Sequence, residues 1–388
     1  MCDNKNGNDN LFQTMNIKTR KAIDCLLKTF PKLGLGFRID RFMKRSMHKN
    51  DRNEVPFIED VESSLKLVLT EEELKNPKLV EKTKRDMVRC YLLYGLIPEE
   101  YFLYDCRHES ESYIKTLLSY GQKDEYCNQS GLKNYGKPGW KIMAELTDKW
   151  SFYKMAKPFF KRDVCRVDAK ADVEEIEKFC EKHNRFIAKP RFRANGIGVH
   201  IVDMSTVKGG CLELLEHYKQ LDDGKWLFEE LIIQDPAMAA WHESSVNTIR
   251  VPSIRTSHGC KVLLPLFRTG KNGNLVDNCH NDGGLMAVPD ADTGILVTDG
   301  YDVFTNVVER HPNSGLKYKG WQVPRWDELL KVSAELHESL PKYHQYVGFD
   351  FALTPEGWVV IEGNWGNFPH QVCVHHGIKK EFETLMKS

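Results

Sequence analysis

The chain has 388 residues, 41% hydrophobic and 28% charged, with Lys+Arg and Asp+Glu both at 55. That length supports two or three subdomains with their own cores, and the balanced charge argues against a nucleic-acid partner. No run approaches the roughly 18 apolar residues of a membrane span, and the polar start "MCDNKNGNDN" lacks a secretion signal's apolar core.

Eleven cysteines are scattered without a C-x-x-C pair, which suits reduced thiols in a cytoplasmic protein. Residues 1–10 read as a disordered tail and 11–145 as a mainly helical N-terminal region. "LVEKTKRDMVRCYLLYGL" sets Val80, Met87, Val88, Tyr91 and Leu92 at helical spacing, and Pro98 in "IPEEYFLYD" suits a helix's first turn. The basic stretch "RIDRFMKRSMHK" reads as a solvated helix face. After about residue 145 strands and helices alternate. "DVEEIEKFCEKH" predicts a helix and "RFIAKP" a strand; "KWLFEELII", "SVNTIRVPSIRT" and "CKVLLPLFRTG" predict three more strands. "RWDELLKVSAELHESL" is a helix, followed by a hairpin over "GFDFALTPEGWVVIEGN". The strands at 245–268 lie too close together for helical crossovers, so the class is α+β on antiparallel sheets.

The hairpin raises a chemical question. A three-residue connection, Pro355-Glu356-Gly357, with Thr354 opposite Trp358, sets Asp350 directly against Glu362. Opposed Cβ atoms lie about 4.5–5.5 Å apart, and like charges there repel. Asn364 projects from the same face as Glu362. Two carboxylates and an amide oxygen form a hard-oxygen set that a divalent cation such as Mg2+ relieves; the alternative is a hairpin whose acids point at water. Upstream, Lys189 ends a strand before a loop with Asn195, Gly196 and Gly198, where backbone N–H groups and a point charge can meet an anion. "WLFEELII" (Glu229, Glu230, Leu231, Ile232) offers a strand edge to an adenine, or is a plain buried strand.

Taken in order, Lys149, Lys189 with its glycine loop, Glu229–Ile232, Asp350, Glu362 and Asn364 resemble the ATP-grasp superfamily, most nearly its sugar-transfer-associated branch, over about 145–380. The resemblance implies an ATP-grasp fold, two α+β subdomains sandwiching ATP, across 146–388, with a lid-bearing part at 146–235 and a metal-binding part at 236–388. It implies that Lys149 and Lys189 hold the ATP phosphates while the loop with Asn195, Gly196 and Gly198 closes over them. Glu229 to Ile232 would receive adenine, with backbone contacts at Glu230 and Ile232. Asn247 and Arg250 would lie near ribose and phosphate, and Arg268 would steady the transferring phosphate. Asp350, Glu362 and Asn364 would bind magnesium, two ions in all. The ribose carboxylate is a point of departure, with Asp235 as the candidate. His280, Asn281 and Asp282 match a loop over the reaction centre or serve as turn residues.

The activity implied is ATP-dependent ligation of a small-molecule carboxylate to an amine through an acyl phosphate, on a sugar-linked or amino-acid-like compound of polysaccharide biosynthesis. A phosphotransferase acting on a hydroxyl and a nucleotide-binding module without turnover are the alternatives. Neither the substrates nor the oligomeric state is written in the sequence.

Overall fold

The computed structural model describes residues 57–388 apart from Asn195 and 278–283. The tail at 1–10, the stretch "RIDRFMKRSMHK", Asn195 and the trio His280, Asn281 and Asp282 lie outside the described residues. The chain divides into two compact units, 1–141 with 367–388, and 142–366. No described helix is long and apolar enough to cross a membrane.

The described part of the first unit is helical. Its longest described helix, Pro77–Tyr94, starts where Asn76 Oδ1 accepts from the N–H groups of Lys78 and Leu79, and stops at Gly95, whose φ of 71° suits a left-handed cap. Met87, Val88, Tyr91 and Leu92 are buried as their spacing predicts, with Val80 packed against the same cluster. Pro98 opens the next helix, Pro98–Leu103.

The second unit carries two sheets, and every strand pairing among the described residues is antiparallel. The smaller has the order β1-β4-β2-β3, from β1 (Val164–Val167), β2 (Arg185–Pro190), β3 (His200–Asp203) and β4 (Trp226–Glu230). Helices Val173–Lys182 and Gly210–Gln220 bring Phe179, Leu214 and Tyr218 against Phe186, Ala188 and Phe228 of this sheet. Side chains alternate along a strand, so Ile187, Lys189, Leu227 and Glu229 project from the other face. The larger, eight-stranded sheet contains β5 (Thr248–Thr256), β6 (Gly259–Val262), β7 (Leu266–Gly270), β8 (Gly284–Ala287), β9 (Gly300–Tyr301), β10 (Val307–Val308), β11 (Tyr346–Thr354) and β12 (Gly357–Asn364). Its order is β10-β9-β8-β7-β5-β11-β12, with β6 also on β5.

Three sequence expectations need correction. The strand expected over "KWLFEELII" ends at Glu230, and Leu231 onward is irregular. "CKVLLPLFRTG" is two strands, because Leu264 sits at φ 49° and Pro265 lacks an N–H for the ladder; both pieces pair with β5. The hairpin turns more tightly than expected, with Thr354 opposite Gly357 and Leu353 opposite Trp358. That register alone would oppose Asp350 to Ile361 and send Glu362 to the other face. A bulge between Phe351–Val360 and Asp350–Glu362 takes up one extra residue, and the Asp350–Glu362 pair is restored. The expected pair is present, produced by a different register.

Candidate functional site

Strand register collects one cluster on a single face of the large sheet. Arg250 of β5 is the cross-strand partner of Asp350, which is the partner of Glu362 on its other side. Thr248, two residues before Arg250 and thus on the same face, is the partner of Arg268. Asn364 follows Glu362 by two residues on that face. The side chains meet accordingly. Arg250 donates from Nε to Asp350 Oδ1 and from Nη2 to Oδ2, both at 2.8 Å. Arg268 Nη2 lies 3.0 Å from Oδ2, and Asn364 Nδ2 lies 3.4 Å from it. Burial by itself raises the Asp350 carboxyl, but Arg250 and Arg268 outweigh it and hold it at about 2.

The smaller sheet supplies the lysines. Lys189 and Glu229 are diagonal neighbours on one face, since Glu229 pairs with Ile187 and Lys189 with Leu227. Their charges join in a buried ion pair, and Arg162 Nη2 reaches Glu229 Oε2 at 2.8 Å. Burial pushes Glu229 up, and Lys189 with Arg162 brings it below the usual carboxylate range. Lys149 opens the helix Lys149–Phe160, which Asp148 caps by accepting from the Trp150 N–H. The Lys149 ammonium donates to the Arg193 carbonyl in the glycine loop. Burial lowers its pKa, Glu362 and Glu229 pull it up, and Lys189 lowers it further; the four charges therefore share one field.

Gly196 and Gly198 have φ of 69° and 81°, the left-handed region where a Cβ is strained, and a Cβ on Gly198 would meet Pro190 Cγ at 2.8 Å. Arg193 ties the same loop to Asp222 through Nε at 2.8 Å and Nη2 at 2.5 Å. At the end of β4, the Glu230 N–H donates to the Asp163 carbonyl and the Glu230 carboxylate accepts from the Asp163 N–H. Leu231 and Ile232 are half-buried, and Ile233 is 76% exposed. Asp235 caps the turn Pro236–Ala239 by accepting from the Ala237 N–H. Asn247 stands apart from the charged cluster. It is fully buried, and its amide donates to Gln234 Oε1 and to the Met238 and His242 carbonyls while accepting from the Gly270 N–H.

Two residues were missed by sequence reasoning. Arg162 precedes β1 and looks like any charge in "KRDV". Asp277 accepts from the Thr248 hydroxyl and lies 3.5 Å from Arg268 Nε; burial pushes its carboxyl up. The first is brought to Glu229 by the pairing of β1 with β4, which sets Val164 opposite Glu229, and nothing local marks the second.

The description of the sugar-transfer associated ATP-grasp family matches residues 141–386. The chain belongs to that family. The ATP-grasp chain has the α+β class and the helical N-terminal region that its sequence implies. A search of curated proteins finds no match. Among solved structures, the ATP-grasp ligase PsnB complexed with minimal precursor is similar at 12% identity and TM-score 0.40, over 66% of each chain. D-alanine–D-alanine ligase from Bacillus anthracis is similar at 13% identity and TM-score 0.34, over 62% of each. An N5-carboxyaminoimidazole synthase from Aspergillus clavatus is similar at 10% identity and TM-score 0.36, over 60% of this chain and 48% of that one. The ATP-grasp chain spans less than two thirds of the length of each of these three.

Proposed function

We propose that the protein is an ATP-dependent ligase that joins a small-molecule carboxylate to an amine through an acyl phosphate, on a sugar-linked or amino-acid-like compound of polysaccharide biosynthesis. The observation that carries this reading is the cross-strand row Arg250–Asp350–Glu362, set in one electrostatic field with Lys149 and Lys189.

The donor set suits magnesium. Mg2+ takes hard oxygens, commonly one or two carboxylates with phosphates and waters, and Asp350, Glu362 and Asn364 supply two carboxylates and an amide. Asp350 Oδ2 meets Arg250, Arg268 and Asn364, Oδ1 meets Arg250, and the Glu362 carboxyl lies against the same group. When bound, the metal, two ions in our reading, neutralises charge on the β- and γ-phosphates. Lys149 and Lys189 hold those phosphates as point charges. Arg268 and Arg250, fixed by Asp350, present N–H groups toward the transferring group without reorganising. The glycine loop with Gly196, Gly198 and Asn195 excludes water, which would otherwise hydrolyse the acyl phosphate. The stretch from Glu229 to Ile232 lines the adenine. The Ile232 N–H has no hydrogen-bond partner among the described residues and is the natural donor to the base. Asp235 has a second carboxylate oxygen for ribose beside the one that caps Ala237. Asn247 acts by pinning the start of β5. The substrate carboxylate attacks the γ-phosphorus and ADP leaves; the amine then attacks the acyl carbon and phosphate leaves. The lid-bearing part at 146–235 contains all of the small sheet, and the metal-binding part at 236–388 all of the large one. Dependence on ATP and the free thiols of the eight described cysteines suit a cytoplasmic site of action.

A hydroxamate trap tests the reading. Purified protein with ATP, Mg2+, hydroxylamine and pooled carboxylates should give an ATP-dependent hydroxamate, and Lys189→Ala should abolish it. A stable phosphoester instead of a hydroxamate would establish the phosphotransferase, and bound but unconsumed ATP across all donors would establish the non-catalytic module.

A further inference from the structure

Arg162 lies outside every role assigned above, yet it touches both halves of the charged cluster. It stands between the end of the Lys149–Phe160 helix and β1, after Lys161 at φ 48° turns the chain. Its side chain is 5% exposed. Nη2 donates to Glu229 Oε2 at 2.8 Å, and Glu229 in turn is ion-paired with Lys189. Nη1 donates to the Val360 carbonyl at 2.7 Å and to the Phe160 carbonyl at 3.2 Å, and the guanidinium lies 4.5 Å from the Phe160 ring centroid.

Val360 is the last β12 residue before the bulge, and Glu362 the first after it. β12 is the edge strand of the large sheet, where backbone groups are left for donors outside the ladder, and Arg162 is such a donor to the Val360 carbonyl. One planar, always-charged fork thus holds β4 of the small sheet through Glu229, which is itself ion-paired with Lys189 of β2, and the carboxylate-bearing hairpin of the large sheet through the Val360 carbonyl. A lysine in its place would carry the charge but lacks the fixed angle between two donor nitrogens.

We propose that Arg162 is a positioning residue that sets the separation between Lys189 and Glu362, and so matches the site to a metal-bound triphosphate. The inference rests on the ATP–Mg2+ reading above. Arg162 itself touches neither nucleotide nor metal in it.

The test compares nucleotides that differ only in phosphate number, using the full chain. Binding of the imido analogue of ATP with Mg2+, of ADP with Mg2+, and of AMP would be measured by calorimetry for the parent protein, Arg162→Ala and Arg162→Lys. Removing one partner of a buried charge pair is costly, so Arg162→Ala should weaken the triphosphate analogue about tenfold or more, while AMP changes less than about twofold. Arg162→Lys should show the same selective pattern at smaller amplitude and serves if the alanine variant does not fold. Guanidinium ion at low millimolar concentration should restore triphosphate binding to Arg162→Ala, which a general loosening of the fold would not permit. Equal weakening of all three nucleotides, or none, overturns the positioning role. Failure of the parent protein to bind any of them overturns the nucleotide reading itself, and the inference with it.

Discussion

Arg250 clasps Asp350 in a two-point fork, and the two residues are direct partners across β5 and β11. Arg268 adds a third contact to the same carboxylate, which is 2% exposed. Asp350→Ala therefore leaves two neighbouring guanidiniums without their shared counter-charge. Loss of one side of a buried pair costs roughly 3–5 kcal/mol, so the denaturant midpoint should fall sharply, and Asp350→Asn should fall less because it keeps the shape and some hydrogen bonding. An unchanged midpoint for Asp350→Ala would contradict the buried pairing.

The same pair predicts an acid limb. The folded pKa of Asp350 is about 2, depressed below the ordinary value of 3.8. A depressed carboxylate stabilises the fold above its unfolded pKa, and that contribution disappears as pH falls from about 4 through about 2, a loss of roughly 2 kcal/mol. Asp277 works in the opposite direction, since burial raises its pKa and protonation favours the folded state. Asp277→Asn should accordingly make the loss of stability on acidification steeper, as read from urea unfolding at stepped pH.

His337 sets a second, wider window. Burial holds its imidazole at about 3, against an ordinary 6.5. A carbonyl can only accept, so Nε2 carries the proton toward the His344 carbonyl at 2.7 Å, and Nδ1 takes the Ser253 hydroxyl at 2.7 Å. The unfolded chain binds a proton here below about pH 6.5 while the folded chain does not until about pH 3, so stability declines across that span by on the order of 5 kcal/mol. His337→Gln should be less stable than the parent near neutrality and show a flatter pH dependence between those limits. A parallel pair of stability curves would refute the assignment.

Gly363 marks the close approach of the Lys149–Phe160 helix to β12. A Cβ there would collide with the Phe152 ring, and Phe152 also packs on Phe349 at a centroid distance of 6.3 Å. Gly363→Ala should cost about 1–3 kcal/mol by overpacking and weaken binding of the triphosphate analogue by displacing the helix that carries Lys149. Phe152→Leu in the same chain should recover part of both effects, a coupling that separate sites would not show.

Local pattern determined a large share of this protein. "RFIAKP" is strand β2 at both ends, the apolar spacing of Met87, Val88, Tyr91 and Leu92 is the buried side of its helix, and Asp350 does oppose Glu362. These rest on alternation, helical period and turn residues, which act between near neighbours in the chain. Tertiary structure decided the rest. Asp350 is gripped by arginines 100 and 82 positions away only because β5 lies between β7 and β11. Glu229 meets Lys189 and Arg162 through strand order, and Asn247 is turned inward by the carbonyls of the segment before it. The extra residue at Ile361 decides which face Glu362 takes, and a one-residue slip of that kind leaves no mark in composition or period. Which charge neutralises which depends on distances that only the assembled sheets define.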